Sequence, residues 1–461
     1  MISSLPESLQ LLASGASVLS GDEVTEHYSS DWTEVDQCKP DAVFRPANAG
    51  ELSAIMKECH KNRQPVVVQG GLTGLAGGGT PEKGEVSVSL EKMTGIEEID
   101  EFAMTMTVKA GTPLQTIQEA ALEKGLVFPI DLGARGTATI GGNVSTNAGG
   151  VQVIRYGMTR ALVMGLEVVL PDGTVITSLN KMLKNNAGYD LKHLFIGAEG
   201  TLGVVTRVVL RLFAKPQSRC TAMLAFAEFS NSITLLKQIQ AELTGLVNSY
   251  EVMWDCYYDN VAPTVKAFGR PFEQSHGAYA ILELCGNHQQ RDSELLESFL
   301  AEQLENGTVE DVVIAQTDTQ ADNIWSLRHG IGEFSSSVPL INYDVSIPIG
   351  KMDAFAKRIL QQQGQSYQHI TLLLFGHIGD SNLHVVIGDY KEGEFKPLKD
   401  WIHELTGEFG GSVSAEHGIG KLKTNYLSLS RSDEEIALMQ LLKRTIDPHN
   451  ILNQGRVFSA S

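Results

Sequence analysis

Cysteine is scarce and scattered. The chain has five, Cys38, Cys59, Cys220, Cys256 and Cys285, with no C-x-x-C spacing among them. That argues against a disulfide framework or a zinc–thiolate site and for a reducing compartment. Basic residues are few: 36 Lys and Arg stand against 55 Asp and Glu, a net charge of -19. Such a balance argues against nucleic acid or an anionic membrane as partner. No apolar run reaches transmembrane length; Ile370–Phe375 reads as a buried strand, so an integral membrane protein is not expected. Met1 to Gly21 carry Glu7 and no Lys or Arg, unlike a secretion signal or a transit peptide. A cytoplasmic location is expected.

Two nucleotide-binding motifs are also missing. There is no G-x-x-x-x-G-K-[ST], and the run Gly70–Gly79 does not match G-x-G-x-x-G. The residues after that run read as a strand, not a helix. An ordinary nicotinamide or nucleoside-triphosphate site is therefore not expected.

What is present is glycine in clusters, at Gly70–Gly79, Gly133–Gly150, Asn185–Gly188 and Gly197–Gly203. One such cluster could be a turn between strands. Four in one region fit a long dinucleotide laid along exposed backbone, because a residue without Cβ lets N–H groups approach a pyrophosphate. Between the clusters, strand-like runs at Val43–Pro46, Pro65–Val68, Val86–Leu90, Thr105–Ala110, Gly165–Leu170 and Gly203–Phe213 alternate with helical patterns at Asn48–Asn62 and Leu114–Lys124. Pro171-Asp172-Gly173-Thr174 is a hairpin signal. Residues 1–35 read as a helical lead-in. Beyond Lys215-Pro216 the glycine fades, and 220–400 reads as an antiparallel sheet backed by helices. Helices at Phe395–Phe409 and Asp433–Thr445 close the chain.

The late residues carry the chemistry. His377 and His384 bracket Gly379-Asp380-Ser381-Asn382, which reads as a tight turn between apolar strands, and Glu416-His417 follows within about forty residues. Two His and a carboxylate are a common ligand set for a divalent metal, and a further His beside it can act as general base. Plain hydrogen-bonding histidines are the alternative reading. Asp380 is expected to shape the turn. Asn382, two residues from His384, shares its strand face and could orient a ligand. Glu416 and His417 would point to opposite faces of a regular strand, so a shared site needs irregular backbone near Gly418 and Gly420.

Val66–Gly74, Thr139–Gly150, Tyr156-Gly157, Asn186–Asp190 and Ile196–Gly203, in that order, resemble the flavin-binding segments of the vanillyl-alcohol-oxidase or PCMH-type FAD enzymes. The late segments resemble the branch that oxidises D-2-hydroxy acids, which takes in D-lactate, glycolate and D-2-hydroxyglutarate enzymes. The likeness covers roughly residues 40 to 457. It implies an α+β fold: a two-part PCMH-type FAD-binding domain over 36–215, an antiparallel-sheet α+β substrate (cap) domain over 216–410, and a short C-terminal segment, 411–461, returning to the flavin. It implies FAD held by Gln69, Gly70, Gly71, Leu72, Thr73, Gly74, Leu75, Gly78 and Gly79. It adds Pro129, Asp131, Gly136, Thr139, Ile140, Gly141, Gly142, Asn143, Thr146, Asn147, Gly149 and Gly150 from the second segment. Tyr156, Gly157, Glu199, Gly200, Gly203, Val204, Val205, Glu416 and Asn453 complete the set. No Cys or His occurs in Gly70–Gly79 or Thr137–Gly150, so the flavin is expected to be non-covalent.

The resemblance further implies a divalent metal, zinc first and manganese or iron next, on His377, His384 and Glu416. His417 would be the catalytic base, and Arg328, Asn382 and Tyr343 would meet the substrate. The implied reaction takes a D-2-hydroxy acid to the 2-oxo acid, the hydride passing to flavin N5. Electrons would go on to an electron-transfer flavoprotein or a quinone. A homodimer is the base-rate expectation. Rival readings are an oxidase using O2, the FAD subunit of a glycolate-oxidase-like complex, and a metal-only hydrolase. The chain departs from the hydroxyglutarate pattern at Asn342, Gly332 and Val386, which weakens recognition of a second carboxylate. The late Asn453-Gln454-Gly455-Arg456 has Gln and Arg where the family has Pro and Lys; the positive charge, and with it the role, is expected to survive.

Overall fold

Apolar runs of four to nine residues separated by amphipathic stretches require sheets covered by helices. The computed structural model describes residues 5–13, 18–266, 270–272, 274–335 and 338–459. It divides into two compact units. One contains the described residues up to Gly150, Tyr156–Lys215 and the chain from Glu416 onward; the other contains Val151–Arg155 and Pro216–Ala415.

The first unit holds a four-stranded sheet in the order Val18–Ser20, Ala42–Phe44, Val86–Ser89, Val66–Gln69. The first pair is antiparallel and the rest parallel. The helix Ala49–Asn62 starts where Asn48 accepts the Glu51 N–H at 3.0 Å, and it ends at Arg63 in the left-handed region (φ 51°). Its face of Leu52, Ile55, Met56 and Cys59 packs with Phe44, Val66 and Val88 in one core. Each such fully buried aliphatic side chain stabilises the unit by roughly 1.5–3 kcal/mol. An antiparallel sheet runs Ile96–Asp100, Thr105–Lys109, Val204–Arg211, Val163–Val169, Val175–Ser178. Its last hairpin is closed by Leu170 N–H to Thr174 O at 2.8 Å, with Gly173 at φ +82°, as Pro-Asp-Gly-Thr predicts.

The second unit is built on seven antiparallel strands: Asp311–Ile314, Ser218–Phe226, Ala278–Gly286, Val247–Trp254, Thr371–His377, Asn382–Gly388 and Leu340–Ser346, in that spatial order. Helices cover both faces. Leu372, Leu374, Leu383, Val385, Tyr343 and Val345 point into a core shared with the helices Phe229–Glu242, Ile349–Ser366 and Phe395–Glu408. Leu373, Phe375, Val386 and Met253 point the other way, against Asp255–Val261 and Asp318–His329. This strict alternation decides which side chains can meet.

Two expectations are corrected. Among the described residues before 36 only Glu7–Ala13 is α-helix. Val18–Ser20 is instead an edge strand on Ala42–Phe44, and short 3-10 turns follow at Gly21–Glu23 and Glu26–Tyr28. Pairing with a buried strand outweighs the weak helical pattern there. The central strand Val247–Trp254 went unread, because Asn248, Ser249 and Glu251 interrupt its apolar run.

Candidate functional site

In the first unit three of the four glycine clusters, Gly70–Gly79, Gly133–Gly150 and Gly197–Gly203, form one cavity of about 370 Å³. Its walls include Gly70–Ala76, Gly78, Gly79, Ala138, Thr139, Gly141–Asn143, Ser145, Thr146, Ala148 and Gly149. Glu199, Gly200, Gly203–Val205, Glu416, His417 and Asn453 complete them. The packing shows why glycine is required. A Cβ on Gly71 would lie 2.0 Å from Thr137 O, and one on Gly70 would lie 2.7 Å from Thr139 Oγ1. The two loops touch backbone to backbone, and the helix Ile140–Thr146 starts beside them.

Several residues expected at the cofactor stand behind this wall. Gln69 is buried and donates through Nε2 to Tyr28 O and Gly79 O, both at 2.9 Å. Asp131 pairs with Arg135, and its carbonyl would meet a Cβ on Gly150 at 2.2 Å. Ile140 lies in the core, and Asn147 caps its helix and accepts from Arg160 N–H at 2.9 Å. Tyr156 packs its ring on Phe213 at 4.7 Å, next to Gly157 at φ +77°. Pro129 and Gly136 do not line the cavity either. Asn186–Asp190 is exposed. Conversely, the wall gains Asp31, Trp32, Leu90 and Leu132, which lie outside every cluster read from the sequence. Asp31-Trp32 carries no glycine signal and arrives through the N-terminal segment.

The C-terminal return is fixed within the same unit. Val66 N–H donates to Ile451 O at 2.7 Å, and Asn453 N–H to Val66 O at 2.8 Å. Asn453 Oδ1 accepts from Val68 N–H at 2.9 Å, and its Nδ2 donates to Glu199 O at 2.7 Å. Glu199, itself at φ +51°, accepts from Ile419 N–H at 2.8 Å and Gly420 N–H at 2.7 Å. Burial holds its carboxyl above the usual range, against those two backbone donors and Lys423. Gly418 and Gly420 have φ +78° and +51°, the irregular backbone that lets Glu416 and His417 face one cavity. Arg456 does not line it. Its guanidinium is fully buried on Glu85 and the Thr80 carbonyl, so the late positive charge acts as a clamp on the chain end.

The second unit places a polar cluster on the sheet face of Phe375 and Val386. His377 ends its strand and His384 lies opposite Phe375, their rings 5.7 Å apart and inclined at 74°. Asp380 accepts the Asn382 N–H at 3.2 Å and so shapes the turn, with Ser381 at φ +74°. Burial raises the Asp380 carboxyl to about 6. Asn382 Nδ2 donates to Asp344 Oδ1 at 2.9 Å, and Asp344 is the register partner of His384. Glu251, unforeseen from sequence, lies beside His377 in the register. It accepts from Arg328 Nε at 2.7 Å and, through its other oxygen, from His377 Nδ1. Burial opposes its charge, yet His377 and Arg328 outweigh that and hold its carboxyl at about 2. Arg328, 7 % exposed, lies over the Phe375 ring at 4.5 Å. Ala415 N–H reaches Asp344 O at 3.3 Å, and Glu416 is the next residue of the chain.

Tyr343 is a correction. Strand alternation turns it to the opposite face, where it meets His403 edge-on, so it does not join this cluster. The other histidines have local roles: His193 sits on Arg160, His288 precedes the helix Gln289–Glu305, and His369 pairs with Glu394.

Comparison with known proteins decides the lineage. Residues 215–457 match the family model "FAD linked oxidases, C-terminal domain", and residues 40–178 match "FAD binding domain". The chain belongs to the FAD-linked oxidase family. Within it, the chain is 38% identical over 442 residues to a D-2-hydroxyglutarate dehydrogenase of Xanthomonas citri pv. viticola, covering 94% of this chain and 92% of that one. It is 35% identical over 468 residues to that of Stutzerimonas stutzeri, covering 99% of each. Among solved structures, p-cresol methylhydroxylase with substrate bound superposes with a TM-score of 0.75 at 16% identity, covering 98% of this chain and 96% of that one. This FAD-linked oxidase is thus an oxidoreductase of the D-2-hydroxyacid dehydrogenase branch with the PCMH-type fold. The FAD-binding model spans the first two glycine clusters, and the C-terminal model spans His377, His384, Glu416 and His417. No helix among the described residues is long and apolar enough to cross a membrane.

Proposed function

We propose that this FAD-linked oxidase oxidises a D-2-hydroxy acid to the 2-oxo acid, with FAD in the glycine-lined cavity and a divalent metal on His377, His384 and Glu416. The cavity fits a flavin dinucleotide. Asp31 Oδ2, Thr139 Oγ1 and Asn143 Oδ1 are buried in its wall without a partner among the described residues. The glycine cradle exposes backbone donors that any Cβ would cover. Among the described residues no cysteine lines it, and neither Gly70–Gly79 nor Gly133–Gly150 carries a histidine, which supports a non-covalent flavin. For the metal, the donor set is the support: two imidazoles and a carboxylate suit zinc, manganese or iron.

One observation carries the reading. His377, His384, Glu251 and Asn382 lie on one sheet face and Arg328 reaches them from the helix Asp318–His329, each no more than 7 % exposed. A purely structural role would leave that much buried polarity unexplained. When bound, FAD supplies a two-electron acceptor and a divalent ion supplies a Lewis acid. The chain's own residues do the rest. With Nε engaged by Glu251, the terminal nitrogens of Arg328 pair with the substrate carboxylate in a planar fork. Asn382 helps fix the substrate's orientation. His417 accepts the hydroxyl proton. Cα loses its hydride as the carbonyl forms.

Asn342 and Val386 face each other across adjacent strands, and Val386 is fully buried among apolar side chains. Nothing lies within 4 Å of where a Gly332 side chain would begin. These positions support a substrate side chain smaller or more apolar than that of 2-hydroxyglutarate. Free cysteines support a reducing, cytoplasmic setting, and a separate electron carrier is the acceptor we favour.

A visible spectrum with elemental analysis should show an oxidised flavin and about one metal ion per chain; a colourless protein overturns the reading. His417→Gln should lower kcat by roughly 10²–10⁴-fold with flavin retained. Steady-state kinetics on D-lactate, D-malate, D-2-hydroxybutyrate and D-2-hydroxyglutarate should rank the last below the others. A clear preference for D-2-hydroxyglutarate overturns the small-side-chain proposal alone.

A further inference from the structure

Glu251 occupies the middle of the central strand Val247–Trp254, with Ile281 beside it on one neighbouring strand and His377 on the other. Its neighbours Tyr250 and Val252 turn into the apolar core, and Glu251 turns to the opposite face, fully buried. A carboxylate there has lost its hydration, and both oxygens must be engaged by donors to compensate. Both are: Oε2 accepts from Arg328 Nε at 2.7 Å and Oε1 accepts from His377 Nδ1.

The direction of the second bond matters most. A carboxylate only accepts, so His377 must carry its proton on Nδ1. The lone pair is then on Nε2, the nitrogen that can ligate a metal ion. Arg328 NH2 reaches that Nε2 at 3.4 Å, a long and weak contact beside the bond to Glu251, so Glu251 is the main hold on the ring. Arg328 Nε alone would leave Oε1 without a donor, so the carboxylate's own burial requires His377. Engaging His377 as well fixes the ring's tautomer and its angle.

We infer that Glu251 is a positioning residue. It holds His377 with Nε2 presented for metal ligation, and through its other oxygen it holds Arg328 for the substrate carboxylate. This rests on the proposed metal site and names what makes that site rigid. One carboxylate would then couple the two halves of substrate capture.

The test uses the purified flavoprotein and zinc as probe. Bound metal per flavin is measured by elemental analysis, and zinc affinity by chelator competition, for the wild type, Glu251→Gln, Glu251→Asp and His377→Ala. Flavin absorbance and the thermal midpoint report folding. Glu251→Gln should weaken zinc binding by roughly ten- to a hundredfold, the usual effect of removing a carboxylate behind a ligating histidine. Flavin content should stay at wild type, and KM for the hydroxy acid should rise as Arg328 loses its anchor. A role in packing alone would lower the midpoint and leave zinc affinity unchanged. If Glu251→Gln does not fold, Glu251→Asp decides: its shorter arm cannot span His377 and Arg328 together, so zinc affinity should fall, and wild-type affinity overturns the proposal. Unchanged zinc affinity in Glu251→Gln, with zinc lost in His377→Ala, refutes Glu251's role and spares the metal site. Unchanged affinity in His377→Ala refutes the metal site itself.

Discussion

Gly71 shows how a single missing methyl group shapes the glycine-lined cavity. A Cβ at this position would lie 2.0 Å from Thr137 O and 3.2 Å from Ala138 Cα, both backbone atoms that no side-chain rotation can move. Gly71→Ala should therefore push the two glycine loops apart. The expected cost is roughly 3 kcal/mol, the upper end for overpacking, and the purified variant should carry much less flavin per chain. Wild-type flavin content and an unchanged melting midpoint would show that the loops need not touch. The glycines were legible in the sequence because their clustering is local. Glu251 was not: one carboxylate within Val247-Asn-Ser-Tyr-Glu-Val-Met-Trp254 looks like an exposed strand position. Its meaning comes from His377 and Arg328, 126 and 77 residues away. Asp31 escaped for the same reason.

Among elements, the hairpin Val163–Val169 and Val175–Ser178 shows what pattern reading captures. Its turn, register and buried alternation follow from local residues. The charge buried on it does not. Glu167 accepts from Arg207 Nε at 2.9 Å and NH2 at 2.7 Å, and from the Thr177 and Thr206 hydroxyls at 3.0 Å each. Burial pushes its carboxyl up, but those donors outweigh it, and the net position is below the usual carboxylate range. A carboxyl depressed in the native state stabilises it above the unfolded pKa, and the benefit fades as pH falls through the native one. Glu167→Gln should thus cost about 2 kcal/mol at neutral pH, the scale of hydrogen bonds to a charged group. In urea titrations the gap from wild type should close as pH falls below the usual carboxylate range. A gap that stays constant with pH would mean that packing, not charge, is lost. The hairpin of His377 and His384 was legible in the same way, and Tyr343 was misplaced because its strand, read alone, gives no sign of which face is which.

At the scale of the whole molecule, the first unit is discontinuous, and composition gives no hint of this. Its sheet is completed by residues from the far end of the chain: Leu452 bridges Val66 in parallel, and Lys443 donates to Thr201 O at 2.9 Å and Leu452 O at 2.7 Å. Arg456 is buried on Glu85, the kind of pair whose breakage leaves an uncompensated charge and costs about 3–5 kcal/mol. The long ordered motifs made the family legible, and the return of the chain was implied by that likeness alone; no periodicity could reveal it. The C-terminal segment therefore belongs to the flavin-binding unit in energy as well as in place. Truncation after Ile446 removes Asp447, Leu452, Asn453 and Arg456 together. It should yield protein that has lost most of its flavin and is cut rapidly by protease between Pro65 and Gly79. The strands around Val252 and Leu373, whose packing lies within the second unit, should stay protected. Flavin absorbance per chain and mapped proteolysis read both outcomes, and a truncated protein that stays fully yellow would show that the first unit closes without its return strand.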